Sequence, residues 1–269
     1  MALTNDAHRL IFCMNSGRAG SKYLSKVLGS AKQVRSFHEA DPTMSGEYLH
    51  WINHKPYAET FAMRQCKAIA LRKLLNDLPS QAVYCETNHM FIKTFFDVVV
   101  DAFGAQIEVI LLRRNLASVL KSFLELGYFS DQNEVWPNWM SSPNAVTAAI
   151  PCIDADDHLD PCDRSIAYLI DIEARALRFC QDYPHIKVHP VRLESFSRFE
   201  YVMQVFDQLR LIPTDKTREL AQKTFNTKEK RKQQINQTVD LHDCQARIHH
   251  YIERATAQGI QCPNTLALE

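Results

Sequence analysis

A glycine-containing segment near the start of the chain has the residue types and spacing of an anion-binding turn. The sequence Gly-Arg-Ala-Gly-Ser at 17–21 follows an apolar run at 10–14 and precedes a stretch with apolar residues at helical spacing. The run predicts a buried strand, and the spacing predicts a helix. A tight turn between them aims backbone N–H groups and a helix N-terminus at one point, where an anion is stabilised. An ordinary glycine-containing connection remains the alternative for this segment alone.

A second cationic group stands where the clearest strand of the chain ends. The apolar run 107–112 is followed by Arg113 and Arg114, and Ser122 comes about two helical turns after Arg114. The arginine and the serine can share one phosphate, the arginine through forked hydrogen bonds and the serine through one. Considered alone, a strand-end arginine such as Arg114 is more often a solvated surface cation.

The order of residues in the glycine segment differs from that of a nucleotide kinase. The Walker A loop places lysine directly after its last glycine and a magnesium-binding hydroxyl after the lysine. Here Ser21 precedes Lys22. Kinases also need a strand-end carboxylate to hold magnesium, and the best central strand ends in Arg113 and Arg114 instead. We therefore expect a phosphate site that uses no metal.

Taken together, these segments resemble the sulfotransferases that use 3′-phosphoadenosine 5′-phosphosulfate (PAPS). Residues 17–24 are similar to the family's Gly-Arg-x-Gly-Ser-x-x-Leu loop, which holds the 5′-phosphosulfate. Residues 114–122 resemble its second motif, in which an arginine and a serine grip the 3′-phosphate. The segment 192–196 is similar to a late strand and acidic turn of these enzymes, and 226–232 is placed like their final phosphate-gripping loop.

The resemblance implies a reaction and a donor site. The reaction is transfer of a sulfuryl group from PAPS to an acceptor hydroxyl, with adenosine 3′,5′-bisphosphate as product and no metal required. Arg18 is also assigned to catalysis. Two positions depart from the family's pattern, because Leu116 replaces a common proline and Ala19 a common small hydroxyl residue. The residues implied for donor binding are Gly17, Arg18, Ala19, Gly20, Ser21, Lys22, Tyr23, Arg114, Ser122, Lys228, Arg231 and Lys232.

The acceptor's proton needs a base. Related sulfotransferases carry a glutamate or histidine for this purpose after the second strand, where this chain has His38 and Glu39. We favour Glu39, with His38 as the alternative; since neighbours on an extended segment point in opposite directions, only one of the two can face the acceptor directly. His38, Glu39 and His89 are all assigned to the acceptor site, although His89 could instead cap the next helix. Weaker candidates for acceptor contacts are Lys93, Tyr128, Trp136 and Trp139.

Strands alternating with helices predict an α/β fold, a three-layer sandwich whose mostly parallel central sheet is covered by helices. The resemblance implies a P-loop NTPase-like arrangement. We expect a single domain, 1–269, with an irregular insertion at about 130–164 that lines or covers the acceptor site. The strands are expected at 10–14, 34–37, 82–86, 107–112 and 186–192, and the helices at 21–28, 60–78, 90–103, 116–126, 165–180, 200–209 and 241–256.

The composition narrows the choice of partners. The chain has 31 lysine and arginine residues and 31 aspartate and glutamate residues. It therefore has no net positive charge that would attract nucleic acid. Without a run of ~18 apolar residues or a signal-type segment, we expect a cytoplasmic protein with no membrane span. The eight cysteines form no Cys-x-x-Cys pair, which favours reduced thiols, with a Cys152–Cys162 disulfide as the minor alternative.

Several alternatives stay open at the level of sequence. The acceptor is a small molecule, a carbohydrate or a peptide tyrosine, and a homodimer is one alternative for the oligomeric state. A nucleotide or small-molecule kinase with an atypical phosphate loop is the rival enzyme. A nucleotide-binding module that has lost its chemistry is the non-enzymatic alternative.

Overall fold

The computed structural model describes residues 8–221 and 239–268. The strands are β1 (Leu10–Met14), β2 (Val34–Phe37), β3 (Val83–Glu86), β4 (Ile107–Arg113) and β5 (Lys187–Arg192). The α-helices are α1 (Ser21–Leu28), α2 (Glu47–His54), α3 (Tyr57–Arg64), α4 (Cys66–Asn76), α5 (Phe96–Phe103), α6 (Leu116–Glu125), α7 (Pro161–Asp182), α8 (Phe199–Gln208), α9 (Asp215–Ala221) and α10 (Leu241–Ala257). A π-helical turn (Phe91–Phe95) leads into α5, and 3-10 turns lie at Gly104–Gln106, Trp136–Asn138, Asp156–His158 and Leu193–Ser197.

Within the described residues, five strands form one parallel sheet in the order β2-β3-β1-β4-β5. The central strand β1 pairs with β3 and β4, so that Leu10 lies opposite Tyr84 on one side and Ile107 on the other. Because every strand runs in the same direction, all their carboxyl ends lie at one edge, the usual place for a ligand in such sheets. The expected α/β fold is confirmed.

Successive residues of β1 enter two separate cores. Leu10, Phe12 and Met14 belong to one buried cluster, whereas Ile11 and Cys13 belong to the other. This is the alternation that a strand covered on both faces requires. The first cluster includes buried residues of α2, α4, α5, α6, α7 and α10, and the second includes those of α1 and α8. The sheet is therefore the middle of three layers.

Several helices differ from the sequence-based expectation. The helix expected at 60–78 is two helices, α3 and α4, and its apolar residue Ile69 is 67% exposed. Arg64 lies at the break and is fully buried. Its charge is compensated there because it pairs with Asp97 and donates to the Thr94 carbonyl at 2.9 Å. The apolar pattern gives no sign of such a buried cation. Helix α2 was not expected at all.

The irregular insertion ends earlier than expected. Helix α7 begins at Pro161, because Asp160 accepts a hydrogen bond from the Asp163 amide at 2.7 Å and so caps the helix. Asp163 also pairs with Arg247 and Arg254 of α10, so its carboxylate anchors α7 to α10. All eight cysteines are free thiols. Among the described helices, none is both long and apolar enough to cross a bilayer.

A buried ion pair supports the carboxyl edge of the sheet at the end of β3, the strand next to β1. The Lys67 Nζ donates to the Glu86 carboxylate at 2.8 Å and to the carbonyls of Ala40 and Pro42 at 2.8 and 3.1 Å. Glu86, at the end of β3, also accepts hydrogen bonds from the Tyr84 hydroxyl at 2.7 Å and the Asn88 amide at 3.0 Å. These bonds fix the chain just after Glu39 and just before His89.

Lys67→Met would leave the Glu86 carboxylate buried without its cation. We expect the free energy of unfolding, measured by urea denaturation, to fall by about 3–5 kcal/mol. Glu253→Gln is the control, since it changes a carboxylate whose side chain is 79% exposed, and a change within about 0.5 kcal/mol is expected there. Equal effects of the two substitutions would show that the buried pair does not hold this edge.

Candidate active site

The loop from β1 to α1 exposes backbone N–H groups at the carboxyl edge of the sheet. Gly17, Arg18 and Gly20 have positive φ angles of 80°, 54° and 88°, and the Asn15 side chain accepts a hydrogen bond from the Gly17 amide at 2.9 Å. Gly20 precedes α1, and none of the described side chains caps that helix. The first amides of a helix have no partner within it. This end of α1 is therefore suited to an anion.

Both glycines of the loop are required by close neighbours as well as by φ. A Cβ atom on Gly20 would lie 2.5 Å from Cδ1 of Leu193, which follows β5. A Cβ atom on Gly17 would lie 3.3 Å from Nδ1 of His89. Other side chains thus pack directly against the loop from two neighbouring strand ends.

The structure brings the second predicted motif to the loop. The Arg114 guanidinium donates to the Arg18 carbonyl at 3.1 Å, and the Arg18 Nε donates to the Ser122 hydroxyl at 3.1 Å. Burial lowers the pKa of Arg114, while Glu194 raises it and Arg18 lowers it. Two arginines and one hydroxyl that are far apart in the chain therefore meet on one surface beside the loop.

Arg113 does not join this surface. Its Nε donates to both carboxylate oxygens of Glu173 on α7, at 3.1 and 3.2 Å. Adjacent residues at a strand end project to opposite sides, so only Arg114 faces the loop. Of the two strand-end arginines, Arg114 alone therefore contributes its charge to this surface.

The start of α6 explains why Leu116 is not proline. Asn115 caps the helix by accepting from the Ser118 amide at 2.9 Å, and its own N–H donates to Glu194 at 2.8 Å. The Leu116 N–H donates to the carbonyl of Ala267 at 2.7 Å. Proline has no N–H to give, so the departure from the family's pattern goes with the docking of the 264–268 segment.

His38, Glu39 and His89 lie together beside the loop. The Glu39 carboxylate is 3.6 Å from Nε2 of His38 and 3.7 Å from Nε2 of His89. His38 Nδ1 lies 3.0 Å from the Thr87 carbonyl, which fixes its ring. Glu39 has a positive φ of 58°, so the segment is not extended. The expectation that His38 and Glu39 must point apart is therefore wrong.

His89 is a buried member of this cluster and does not cap the following helix. It is 5% exposed and stacks on Trp139, with the ring centroids 5.7 Å apart. The capping contact belongs to Asn88, whose side chain accepts from the Met90 amide at 2.9 Å. Burial lowers the pKa of His89 well below its ordinary value, and the neighbouring Lys93 and His38 lower it further. The ring is therefore neutral near pH 7.

The weaker candidates for acceptor contacts separate in the structure. Lys93 is fully buried, so it does not face an acceptor directly. The Trp136 ring packs against Phe129 in a tilted orientation, at a centroid distance of 4.7 Å, and is a packing residue. Burial raises the pKa of Tyr128, and the charges of Arg18 and Glu39 also act on it. Tyr128 and Trp139 are thus the aromatic side chains that adjoin the cluster.

The remaining predicted donor residues differ in their surroundings. Ala19 and Ser21 are buried, and Lys22 is exposed. The Tyr23 hydroxyl donates to the Leu220 carbonyl at 3.3 Å, and its ring packs edge-on against Phe196. Lys228, Arg231 and Lys232 lie outside the described residues.

Two supporting residues were not found from the sequence. The Tyr168 hydroxyl, in the middle of α7, donates to the Ser16 carbonyl at 2.9 Å and so holds the loop, but nothing in a helical pattern marks it. Glu86 ends the strand next to β1, where a magnesium-binding carboxylate would stand in a kinase. Its oxygens are occupied by Lys67, Tyr84 and Asn88, and its position after an apolar run was a signal that could have been noticed.

Comparison with known proteins identifies the fold. No family model matches the sequence, and no curated protein matches it. Among solved structures, the sulfotransferase domain from the curacin biosynthetic pathway is similar with a TM-score of 0.50 and 16% identity, over 96% of this chain and 99% of that one. A sulfotransferase from Alicyclobacillus acidocaldarius is similar with a TM-score of 0.49 and 12% identity, over 94% of this chain and 96% of that one. A sulfotransferase from Mycobacterium avium is similar with a TM-score of 0.45 and 11% identity, over 91% of this chain and 76% of that one. The chain has the sulfotransferase fold.

Gly20→Ala tests how tightly the loop is built. We expect it to lower the free energy of unfolding by about 2–5 kcal/mol, about 1–2 from the left-handed backbone and the rest from contact with Leu193. Gly259→Ala is a matched control, because Gly259 has a φ of 77° and nothing within 4 Å of an added Cβ atom. Denaturant unfolding of both variants measures the difference. Equal losses would mean that the Leu193 side chain moves aside at little cost and does not constrain Gly20.

Proposed function

We propose that this protein transfers a sulfuryl group from PAPS to an acceptor hydroxyl. The observation that carries the proposal is the connection of two anion-binding groups through Arg18, whose carbonyl accepts from Arg114 and whose side chain donates to Ser122. PAPS carries two separate anionic groups on one nucleotide, the 5′-phosphosulfate and the 3′-phosphate. A site with one anion-binding turn and a separate arginine–serine pair matches that arrangement.

Each anionic group has donors of a suitable kind. The loop amides and Arg18 are assigned to the 5′-phosphosulfate, where positive charge stabilises the leaving phosphate. Arg114 and Ser122 are assigned to the 3′-phosphate. The Ser122 oxygen accepts from Arg18, so its own hydrogen is left to donate to a phosphate oxygen. The glycine-containing loop and the Arg114–Ser122 pair can therefore bind the 5′-phosphosulfate and the 3′-phosphate without breaking the Arg18–Ser122 contact.

Glu39 is proposed as the base. Its carboxylate lies beside two imidazoles and next to the loop that would hold the phosphosulfate. The acceptor hydroxyl gives its proton to Glu39 as its oxygen bonds to sulfur. The bond from sulfur to the bridging phosphate oxygen breaks, and its electron pair leaves with adenosine 3′,5′-bisphosphate. In-line placement of the two oxygens is the main task of the site.

The kinase alternative loses its support at the end of β3. A carboxylate that binds magnesium needs free lone pairs, and those of Glu86 are directed at Lys67, Tyr84 and Asn88 in a fully buried position.

We further propose that the irregular insertion lines the acceptor side of the site. Its Trp139 ring stacks on His89, and the Asn138 carbonyl accepts from the Gly46 amide at 2.8 Å.

Binding of adenosine 3′,5′-bisphosphate tests the donor assignment. By calorimetry it should bind far better than AMP, and Arg114→Ala should weaken it by about 2 kcal/mol, roughly 30-fold, as expected for a lost charge-assisted contact. Arg113→Gln removes the neighbouring charge, which is paired with Glu173, and should have little effect. Equal affinities for AMP and the bisphosphate would overturn the assignment of Arg114.

Turnover tests the chemistry. With labelled PAPS and a panel of sugars, phenols, steroids and tyrosine peptides, we expect transfer to at least one hydroxyl class. Glu39→Gln should lower kcat by about 10²–10⁴-fold, the usual contribution of a base, with nucleotide affinity retained. Glu47→Gln, at an exposed carboxylate on α2, is the control. A larger loss in His38→Asn would make His38 the base, and nucleotide binding without transfer to any acceptor would favour the inactive module.

A further inference from the structure

Lys93 is a buried lysine without a matching carboxylate. It lies in the π-helical turn Phe91–Phe95 and is 0% exposed. Its Nζ contacts the Trp139 carbonyl at 2.5 Å, the Tyr168 hydroxyl at 3.1 Å and Nδ1 of His89 at 3.0 Å. In the part of the chain that the structure describes, no carboxylate pairs with it. A buried lysine held only by neutral groups calls for a specific role.

Two of the three contacts have a fixed direction. The Trp139 carbonyl can only accept. The Tyr168 hydroxyl gives its hydrogen to the Ser16 carbonyl, so it too accepts from the lysine. The third contact, with His89, therefore depends on the charge of Lys93. An ammonium group donates to Nδ1, which places the ring hydrogen on Nε2, whereas a neutral amine accepts a hydrogen from Nδ1.

The tautomer of His89 determines what Glu39 meets. Nε2 of His89 is 3.7 Å from the Glu39 carboxylate, slightly longer than a hydrogen bond. With the hydrogen on Nε2, the ring offers a donor to the carboxylate. With the hydrogen on Nδ1, the ring turns a lone pair towards it. The first arrangement attracts and orients Glu39, and the second repels it.

We propose that Lys93 is a positioning residue whose ammonium group holds His89 as the Nε2–H tautomer, so that His89 orients the Glu39 carboxylate. The effect on turnover rests on the proposed function, but the tautomer does not. The charged groups that act on Lys93 are Arg175, Glu39 and Asp171, and the titratable groups beside His89 are Lys93, His38 and Glu39.

Burial lowers the pKa of Lys93 well below its ordinary value, and Arg175 lowers it further, while Glu39 and Asp171 raise it. The ammonium form is therefore present at low pH and is lost as the pH rises through this lowered pKa. The lost proton leaves the lysine lone pair to accept from His89. Raising the pH should consequently move the ring hydrogen of His89 from Nε2 to Nδ1.

The test is long-range ¹H–¹⁵N NMR of the full chain with ¹⁵N-labelled histidine, which distinguishes the two tautomers. In the wild type, His89 should be the Nε2–H tautomer near pH 7 and should change to Nδ1–H at higher pH, before the protein unfolds. Lys93→Met keeps the side-chain length but removes the donor, and it should abolish this change. A wild-type Nδ1–H tautomer near pH 7, no change with pH, or the same change in Lys93→Met would each overturn the proposal.

Tyr168→Phe is the matched control, because it removes another partner of Lys93 and leaves the contact with His89. It should keep the pH-dependent change, which separates the donor's effect from a general disturbance of the core. If Lys93→Met does not fold, the wild-type titration decides. If PAPS turnover is found, Lys93→Met should lower kcat about 10–100-fold, as for other groups that orient a histidine, with nucleotide affinity unchanged. Absence of turnover in the wild type would overturn the proposed function and leave the tautomer result standing.

Discussion

The parallel pairing of all five strands is the constraint on which the site depends. Because each strand ends at the same edge, the residues that follow them are brought together although they are far apart in the chain. No single strand end forms a site by itself. The groups delivered in this way are the loop after β1, His38 and Glu39 after β2, Thr87 to His89 after β3, Arg114 after β4, and Leu193 and Glu194 after β5.

Buried polar groups keep that edge rigid. Lys67 donates its three N–H groups to two carbonyls and the Glu86 carboxylate. Lys93 likewise has three hydrogen-bond partners. A buried charge with a complete set of hydrogen bonds allows little movement, since any displacement leaves a polar group unsatisfied. The groups that surround a proposed transfer reaction are thus held by interactions that water does not screen.

The sheet could be predicted from the sequence because its strands are short apolar runs between helices, and β1 and β2 were expected at the residues where they lie. The loop and Arg114 were also visible, since their motifs are local. The division between α3 and α4 was not, because it depends on the burial of Arg64 against Asp97.

The residues of the cluster around Glu39 were predicted from the sequence, but their arrangement was not. Its geometry depends on the positive φ of Glu39, which cannot be read from a glutamate in a sequence. The contact of Lys93 with Tyr168 joins residues 75 positions apart, and no spacing rule relates them. Sequence reasoning therefore found the residues of the candidate site and missed the interactions that orient them.

The N–H of Leu116 and the carbonyl of Ala267 join the helix after Arg114 to residues near the other end of the chain. The neighbouring hydrogen bond from Asn115 to the Leu268 carbonyl spans 153 positions. During synthesis, which proceeds from the N-terminus, β1 to β4 can emerge and pair while the first turn of α6 still lacks these partners. The edge that carries Arg114 is thus completed only after Leu268 has left the ribosome.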